Sequence, residues 1–165
     1  MYALLGKVYL WKKQHDQAIV ALEKTIAINP NYADGIAGMG EVLQFAGRPD
    51  EAIEMFRKAI RLNPIPPVRY FHGLGSAYYL TGQYDEAIAA LKRVINRNPN
   101  FWPAHIYLTP TYVELKEGVR ARAKVTKILR IVPDISLNSS KKKLPYKDPT
   151  VFEHLSRVLY KAGLN

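Results

Sequence analysis

Along residues 33–64 the apolar and small positions recur at three- and four-residue steps, and the stripe is interrupted once near the middle. Ile36, Met39, Gly40 and Leu43 share one helical face, and Ala52, Phe56, Ala59 and Ile60 share another. Between them stand Gly47, Arg48, Pro49 and Asp50. Gly47 can end the first helix, and Pro49 suits the first turn of the next. Asp50 and Glu51 then lie in that first turn, where carboxylates favour the positive end of the helix dipole. Pro64 stops the second helix. The spacing predicts helices over 33–46 and 50–62, with Gly40 and Ala52 small because the two helices must approach closely there.

The same template recurs along the chain. Moved forward 35 residues it lands on Leu74, Gly75, Tyr78, Gly82, Ala87, Leu91, Val94 and Pro99; moved back 34 it lands on Leu5, Gly6, Tyr9, Ala18, Leu22 and Pro30. These copies predict helices over 2–13, 16–28, 67–80 and 84–97. A fourth copy runs from Phe101 through Leu108, Tyr112, Ala121, Val125, Ile128 and Pro133. It departs from the pattern: Thr109 stands in the place of the small glycine, and Lys116, Glu117 and Gly118 are expected to shift the turn. Pro110 falls inside its first helix, where a proline removes one hydrogen bond and crowds the carbonyl of Ile106, predicting a kink. Self-similarity at this period is the mark of a stacked helix–turn–helix array, in which no unit can bury its apolar face without neighbours.

The repeated glycines, alanines and prolines resemble those of the tetratricopeptide repeat (TPR) family over residues 1–133. The resemblance implies an all-α, right-handed superhelical array of antiparallel helix pairs, divided near 1–32, 33–66, 67–100 and 101–133. Residues 134–148 follow as a basic connector, with one short helix expected near 136–143. Asp148 and Pro149 then suit the start of a C-terminal capping helix over 149–165, with Gly163 beyond its end. Its stripe of Val151, Phe152, Leu155, Val158 and Leu159 is expected to cover Val125, Ile128 and Leu129 on the second helix of the fourth pair. The tail, with "LPYKDP" and "KAGLN", also resembles tails found after TPRs in bacterial class III adenylate/guanylate cyclase proteins. It is similar too to tails of some TPR-bearing transcriptional regulators. The place of Met1 two residues into a repeat, with Tyr2, Leu4, Leu5 and Val8 apolar from the outset, suggests a piece of a longer protein.

Composition narrows the chemistry. The chain has no cysteine, so disulfides, thiolate metal sites and cysteine nucleophiles are excluded. No apolar run is long enough for a transmembrane helix, and the apolar start is interrupted by Lys7, unlike a signal peptide. A cytoplasmic protein is expected. His15, His72, His105 and His154 are scattered without a carboxylate or second histidine at ligand spacing, and no phosphate loop, nucleophile elbow or pair of metal-binding aspartates is present. Neither catalysis nor a cofactor is expected, and any cyclase chemistry would lie outside this chain. The net charge of +10 is uneven: residues 1–99 carry 12 Lys/Arg against 9 Asp/Glu, and residues 100–165 carry 12 against 5. A solvated basic face accounts for this, since no nucleic-acid motif accompanies it.

What remains is a surface. In TPRs the first helix of each pair lines the concave side, which implies a peptide groove here built from Lys7, Leu10 and Trp11; Asp34, Glu41, Gln44 and Phe45; and Arg69, His72, Ser76, Tyr79 and Leu80. Trp11, Phe45 and Leu80 occupy equivalent places and are expected to form a ladder, which could equally be packed between repeats. The carboxylate clamp of chaperone-binding TPRs is matched only at Arg69, with Ala3, Lys7, Gly38 and Gly73 at its other places. The leading expectation is a non-catalytic module for a protein or peptide partner, the C-terminal part of a cyclase-linked bacterial protein. Self-association through the uncapped first helix is a further expectation. A basic array of a transcriptional regulator touching nucleic acid, and a structural spacer, are the alternatives.

Overall fold

In the computed structural model, residues 1–137 and 144–164 are described, and among them the chain forms nine helices and no strand. Eight make four antiparallel pairs: α1 Tyr2–Trp11 with α2 His15–Ile28, α3 Ala33–Phe45 with α4 Pro49–Leu62, α5 Val68–Leu80 with α6 Tyr84–Arg97, and α7 Trp102–Glu114 with α8 Gly118–Ile131. Each second helix packs on the first helix of the next pair, and α1, α3, α5 and α7 also touch in sequence along one side. The result is a solenoid of helix pairs, followed by a last helix, α9 Pro149–Lys161. The short helix expected near 136–143 falls mostly outside the described residues.

The turn within each pair is the same device used four times. The middle turn residues Lys13, Gly47, Gly82 and Lys116 have φ of 59°, 84°, 75° and 60°. The following residue then reaches back: Gln14, Arg48, Gln83 and Glu117 donate their N–H groups to the carbonyls of Tyr9, Leu43, Tyr78 and Tyr112. This satisfies helix-end carbonyls that would otherwise be orphaned. The fourth turn is therefore not shifted, contrary to the sequence expectation; Lys116 takes the left-handed position held by glycine in the second and third pairs. A side chain there is strained by roughly 1–2 kcal/mol, against ~0.5–1 kcal/mol of extra chain entropy lost by glycine. Lys116→Gly should thus raise stability by about 0.5–1 kcal/mol in urea unfolding; a loss would mean that the lysine makes a compensating contact.

Within the pairs, the repeat glycines are sites of close approach. A Cβ added at Gly6 would stand 2.7 Å from Leu22, at Gly40 3.1 Å from Phe56, and at Gly75 2.6 Å from Leu91. Those partners lie one fixed offset along the chain. At the same offset in the fourth pair, Thr109 meets the position of Val125, a smaller side chain, and both are buried. The "degenerate" repeat thus exchanges bulk between the two helices while keeping the spacing. Pro110 is buried inside α7, which runs on as one helix through it. The flanking threonines turn their hydroxyls onto the helix itself, Thr109 to His105 O at 2.8 Å and Thr111 to Tyr107 O at 2.6 Å.

The position of α9 corrects the expected lid. Its main packing is against α7, the first helix of the fourth pair, rather than against α8. Past its end, a Cβ added at Gly163 would stand 4.0 Å from Val125 on α8. Leu129, expected beneath the lid, remains 39% exposed. Asp148 does cap α9 as the sequence implied, accepting from the Thr150 N–H at 2.9 Å. Phe152, Leu155, Val158 and Leu159 are buried.

Candidate functional site

The first helices of the four pairs line a concave groove, and the chain's own C-terminal segment lies across it. Between the two is a cavity of about 690 Å³. Of the residues expected in the groove, Lys7, Trp11, Asp34, Glu41, Gln44, Phe45, Arg69, His72 and Ser76 line this cavity. Tyr79 does not. It is buried, with its ring against Tyr84 and Tyr107 at centroid distances of 6.1 and 6.0 Å. Adjacent residues on a helix should point one tyrosine toward the core and one toward the groove, but Tyr107 lies against the Tyr79 ring, while the Tyr78 hydroxyl accepts from Arg57. The expected ladder is partial: Trp11 and Phe45 line the cavity, whereas Leu80 is partly buried outside it.

The fourth pair contributes Trp102, Pro103, Ile106 and Tyr107, none of which was expected from the sequence. The signal existed: Pro103, Ile106 and Tyr107 stand one repeat beyond Arg69, His72 and Gly73. The other wall comes from the tail, including Ile135, Leu137, Leu144, Phe152, Leu155 and Leu159.

The polar groups of the groove are largely paired among themselves. Arg69 forms an ion pair with Asp34, which also accepts from the Tyr70 hydroxyl. Burial and that carboxylate push the Tyr70 phenol up to about 12. Arg69 is thus engaged, and even the single match to a carboxylate clamp is not a free cation. Burial raises the Glu41 carboxyl above the ordinary carboxylate range, and Lys7 and Arg69 draw it part of the way back. Ser76 lies 3.0 Å from Gln44 Oε1 and 2.9 Å from the Gly73 carbonyl, so its hydroxyl fixes that wall.

His72 is the exception. Its ring packs edge-on against Phe101 and Tyr107. Its Nε2 is buried and has no hydrogen-bond partner among the described residues. Burial lowers its pKa from 6.5 to about 4. The folded chain therefore resists a proton that the unfolded chain accepts. The stabilisation is complete above pH 6.5 and is lost as pH falls toward 4. Chemical denaturation between pH 7 and 4 should show this loss, and His72→Phe should flatten it; an unchanged slope would show that His72 is charged in the fold.

The tail is held at its crossing point by four contacts. His15 Nε2 donates to the Pro145 carbonyl at 2.7 Å, and the Lys147 N–H donates to the Phe45 carbonyl at 2.8 Å. Between them the Tyr146 ring packs edge-on against Phe45 at 4.8 Å, and its hydroxyl bonds to that of Tyr107 at 2.6 Å. Burial drives the Tyr146 phenol well above its usual range. His15, dismissed in sequence as an isolated histidine, is thus a recognition residue for a segment 130 positions away.

Comparison with known proteins places this geometry. Several solved structures share the fold over nearly the whole chain. MamA is 25% identical with a TM-score of 0.70, covering 95% of this chain and 91% of its own. PilW, a type IV pilus biogenesis factor, is 21% identical with a TM-score of 0.76, covering 98% of this chain and 73% of its own. YrrB, described as a TPR protein with an unusual peptide-binding site, is 18% identical with a TM-score of 0.67, covering 98% and 79%. No curated protein is significantly similar in sequence. Two family models of the tetratricopeptide repeat match, one over residues 1–32 and one over residues 38–102. Together they span most of the repeats just described, and the chain belongs to the tetratricopeptide-repeat family.

Proposed function

We propose that the chain is a non-catalytic interaction module whose concave groove holds a peptide segment of a protein partner. One observation carries this: the groove already holds a non-helical segment, residues 144–147, through main-chain bonds and a buried ring. A surface that grips a peptide backbone in cis has the chemistry to grip one in trans. The likeness to YrrB agrees with it. The groove cations Lys7 and Arg69 lie beside Glu41 and Asp34, which argues for a peptide over a nucleic-acid backbone. Among the described residues no helix is long and apolar enough to cross a membrane. A cytoplasmic location belongs to this proposal.

The test is selection of peptides from a random displayed library on the full chain. Binders should weaken at least tenfold on Glu41→Lys or Phe45→Ala. Binders indifferent to both, or none, would remove the groove from the function.

The finer assignment rests on the tail's resemblance to those of class III cyclase proteins: the module is the C-terminal part of a bacterial signalling protein of that kind. The genomic sequence upstream of Met1 decides it. Self-association through α1 rests on Leu4, Leu5 and Val8, which are 69%, 36% and 42% exposed. Light scattering that shows a monomer at high concentration would remove it.

A further inference from the structure

The contact that holds the tail has a composition that general packing does not explain. We propose that the notch bounded by His15, Phe45 and Tyr107 is a docking site for a Pro–aromatic segment of a partner protein, which residues 144–147 occupy in cis until displaced. This rests on the reading of the groove as a peptide site and names the segment it selects.

The acceptor belongs to the array. In the turn after α3, the carbonyls of Val42, Leu43 and Gln44 are taken by Ala46, Arg48 and Gly47, and the Phe45 carbonyl is left for an outside donor, which Lys147 supplies. The turns after α1, α5 and α7 repeat these bonds, so an open carbonyl at this place is built into the repeat. The side chains around it are not repeated. His15 stands where the next three pairs carry Pro49, Tyr84 and Gly118, and Tyr107 stands where the two preceding pairs carry Gly38 and Gly73. Three repeats therefore contribute four elements: a donor from the first, a carbonyl and a ring from the second, and a hydroxyl from the fourth.

These elements define what fits. The first residue presents a carbonyl to His15 and needs no N–H, which suits proline, and proline also pre-sets an extended backbone at low entropic cost. The second residue is a flat ring that reaches the Tyr107 hydroxyl, hence tyrosine, with phenylalanine lacking one bond. The third gives its N–H to Phe45, and its exposed side chain is free to vary.

The tail fills the notch but not the cavity beside it. About 690 Å³ stays open there, walled in large part by apolar side chains such as Trp102, Ile106, Leu137 and Leu155. A partner segment that fills the notch and extends apolar side chains into the cavity would bury more of the groove than the tail does. That difference allows it to win against a competitor that is covalently attached and therefore locally concentrated.

The experiment uses the full chain and a fluorescent peptide of sequence LPYKDP. The cis segment lowers the fraction of open notches, so the wild-type chain should bind weakly, and Tyr146→Ala should tighten binding by roughly tenfold or more. His15→Ala added to Tyr146→Ala should reverse the gain. If Tyr146→Ala does not fold, the wild-type chain serves: excess peptide should accelerate hydrogen exchange at the Lys147 amide in a saturable way. Equal binding to wild type and Tyr146→Ala, or a Lys147 amide that stays protected at saturating peptide, would overturn the proposal. Tail exchange between two copies, seen as a concentration-dependent dimer that the peptide dissolves, would overturn the assignment to a partner protein. If library peptides bind in a groove-dependent manner while LPYKDP does not, the groove remains a peptide site and the notch does not.

Discussion

Phe56→Ala should destabilise the array by roughly 3–5 kcal/mol, the cost of emptying a buried aromatic site that cannot collapse. The ring is 3% exposed and lies between two glycines. An added Cβ at Gly40, on α3 of its own pair, would stand 3.1 Å from it, and one at Gly73, on α5 of the next pair, only 2.3 Å. One side chain therefore fastens both the helices within a pair and the joint between two pairs. Gly73→Ala alone should cost about 1–3 kcal/mol, because the methyl meets the ring where neither backbone can give way. In the Phe56→Ala background the same methyl enters an empty space, and alanine's helix propensity, about 1 kcal/mol better than glycine's, should make the substitution neutral or stabilising. The sign of the Gly73→Ala effect should thus change between the two backgrounds. Urea unfolding of the four variants measures it. Equal costs in both would show that Gly73 is small for another reason.

This pairing explains why the repeats were legible in sequence. A small residue and a large one at a constant offset are a local signature of helix contact, and it survives in the fourth pair as threonine against valine. The features that sequence missed were those without such a signature. Lys116 was taken as the site of a shifted turn because glycine marks the left-handed position elsewhere. The geometry of the turn, set by the backbone bond from Glu117 to Tyr112, persists without glycine at the cost of strain. Tyr107 was overlooked because the groove was followed through three pairs only, although it stands in register with Gly73. Its effect is opposite to that of the glycines: they leave the groove open, and it narrows the groove around Tyr146.

The tail was half legible. An amphipathic stripe beginning at an Asp–Pro start identified α9 and the face it buries. A stripe cannot say which surface receives it, and the choice is made upstream, where Pro145 and Lys147 bond to His15 and Phe45. Those anchors bring the chain back over the second pair before α9 begins, so the helix runs across the inner side and packs on α7. Nothing local in residues 144–147 announces partners so distant in sequence. What could be read was the oddity of the partners themselves, a histidine and a tyrosine at places where the repeat needs neither.

Phe152→Ala provides the corresponding test of the tail. Phe152 is 5% exposed, packs near the Tyr146 ring and lines the cavity, so its removal should cost the docked segment about 3–5 kcal/mol. The loss need not spread. A stacked array holds together through contacts between neighbouring repeats, and α9 lies on the inner face instead of between two of them. Its release should therefore expose the groove and leave the stack closed. Hydrogen exchange should show protection falling over 144–161 and on the part of α7 beneath α9, with 33–62 and 68–97 unchanged. Had the helix capped α8 as first expected, the loss would centre on 118–131 instead. Uniform loss along the chain would make the tail an integral part of the core, and no loss would make it a free arm. Local loss would establish that the groove can open while the array stays folded, which is the condition for a partner to replace the tail.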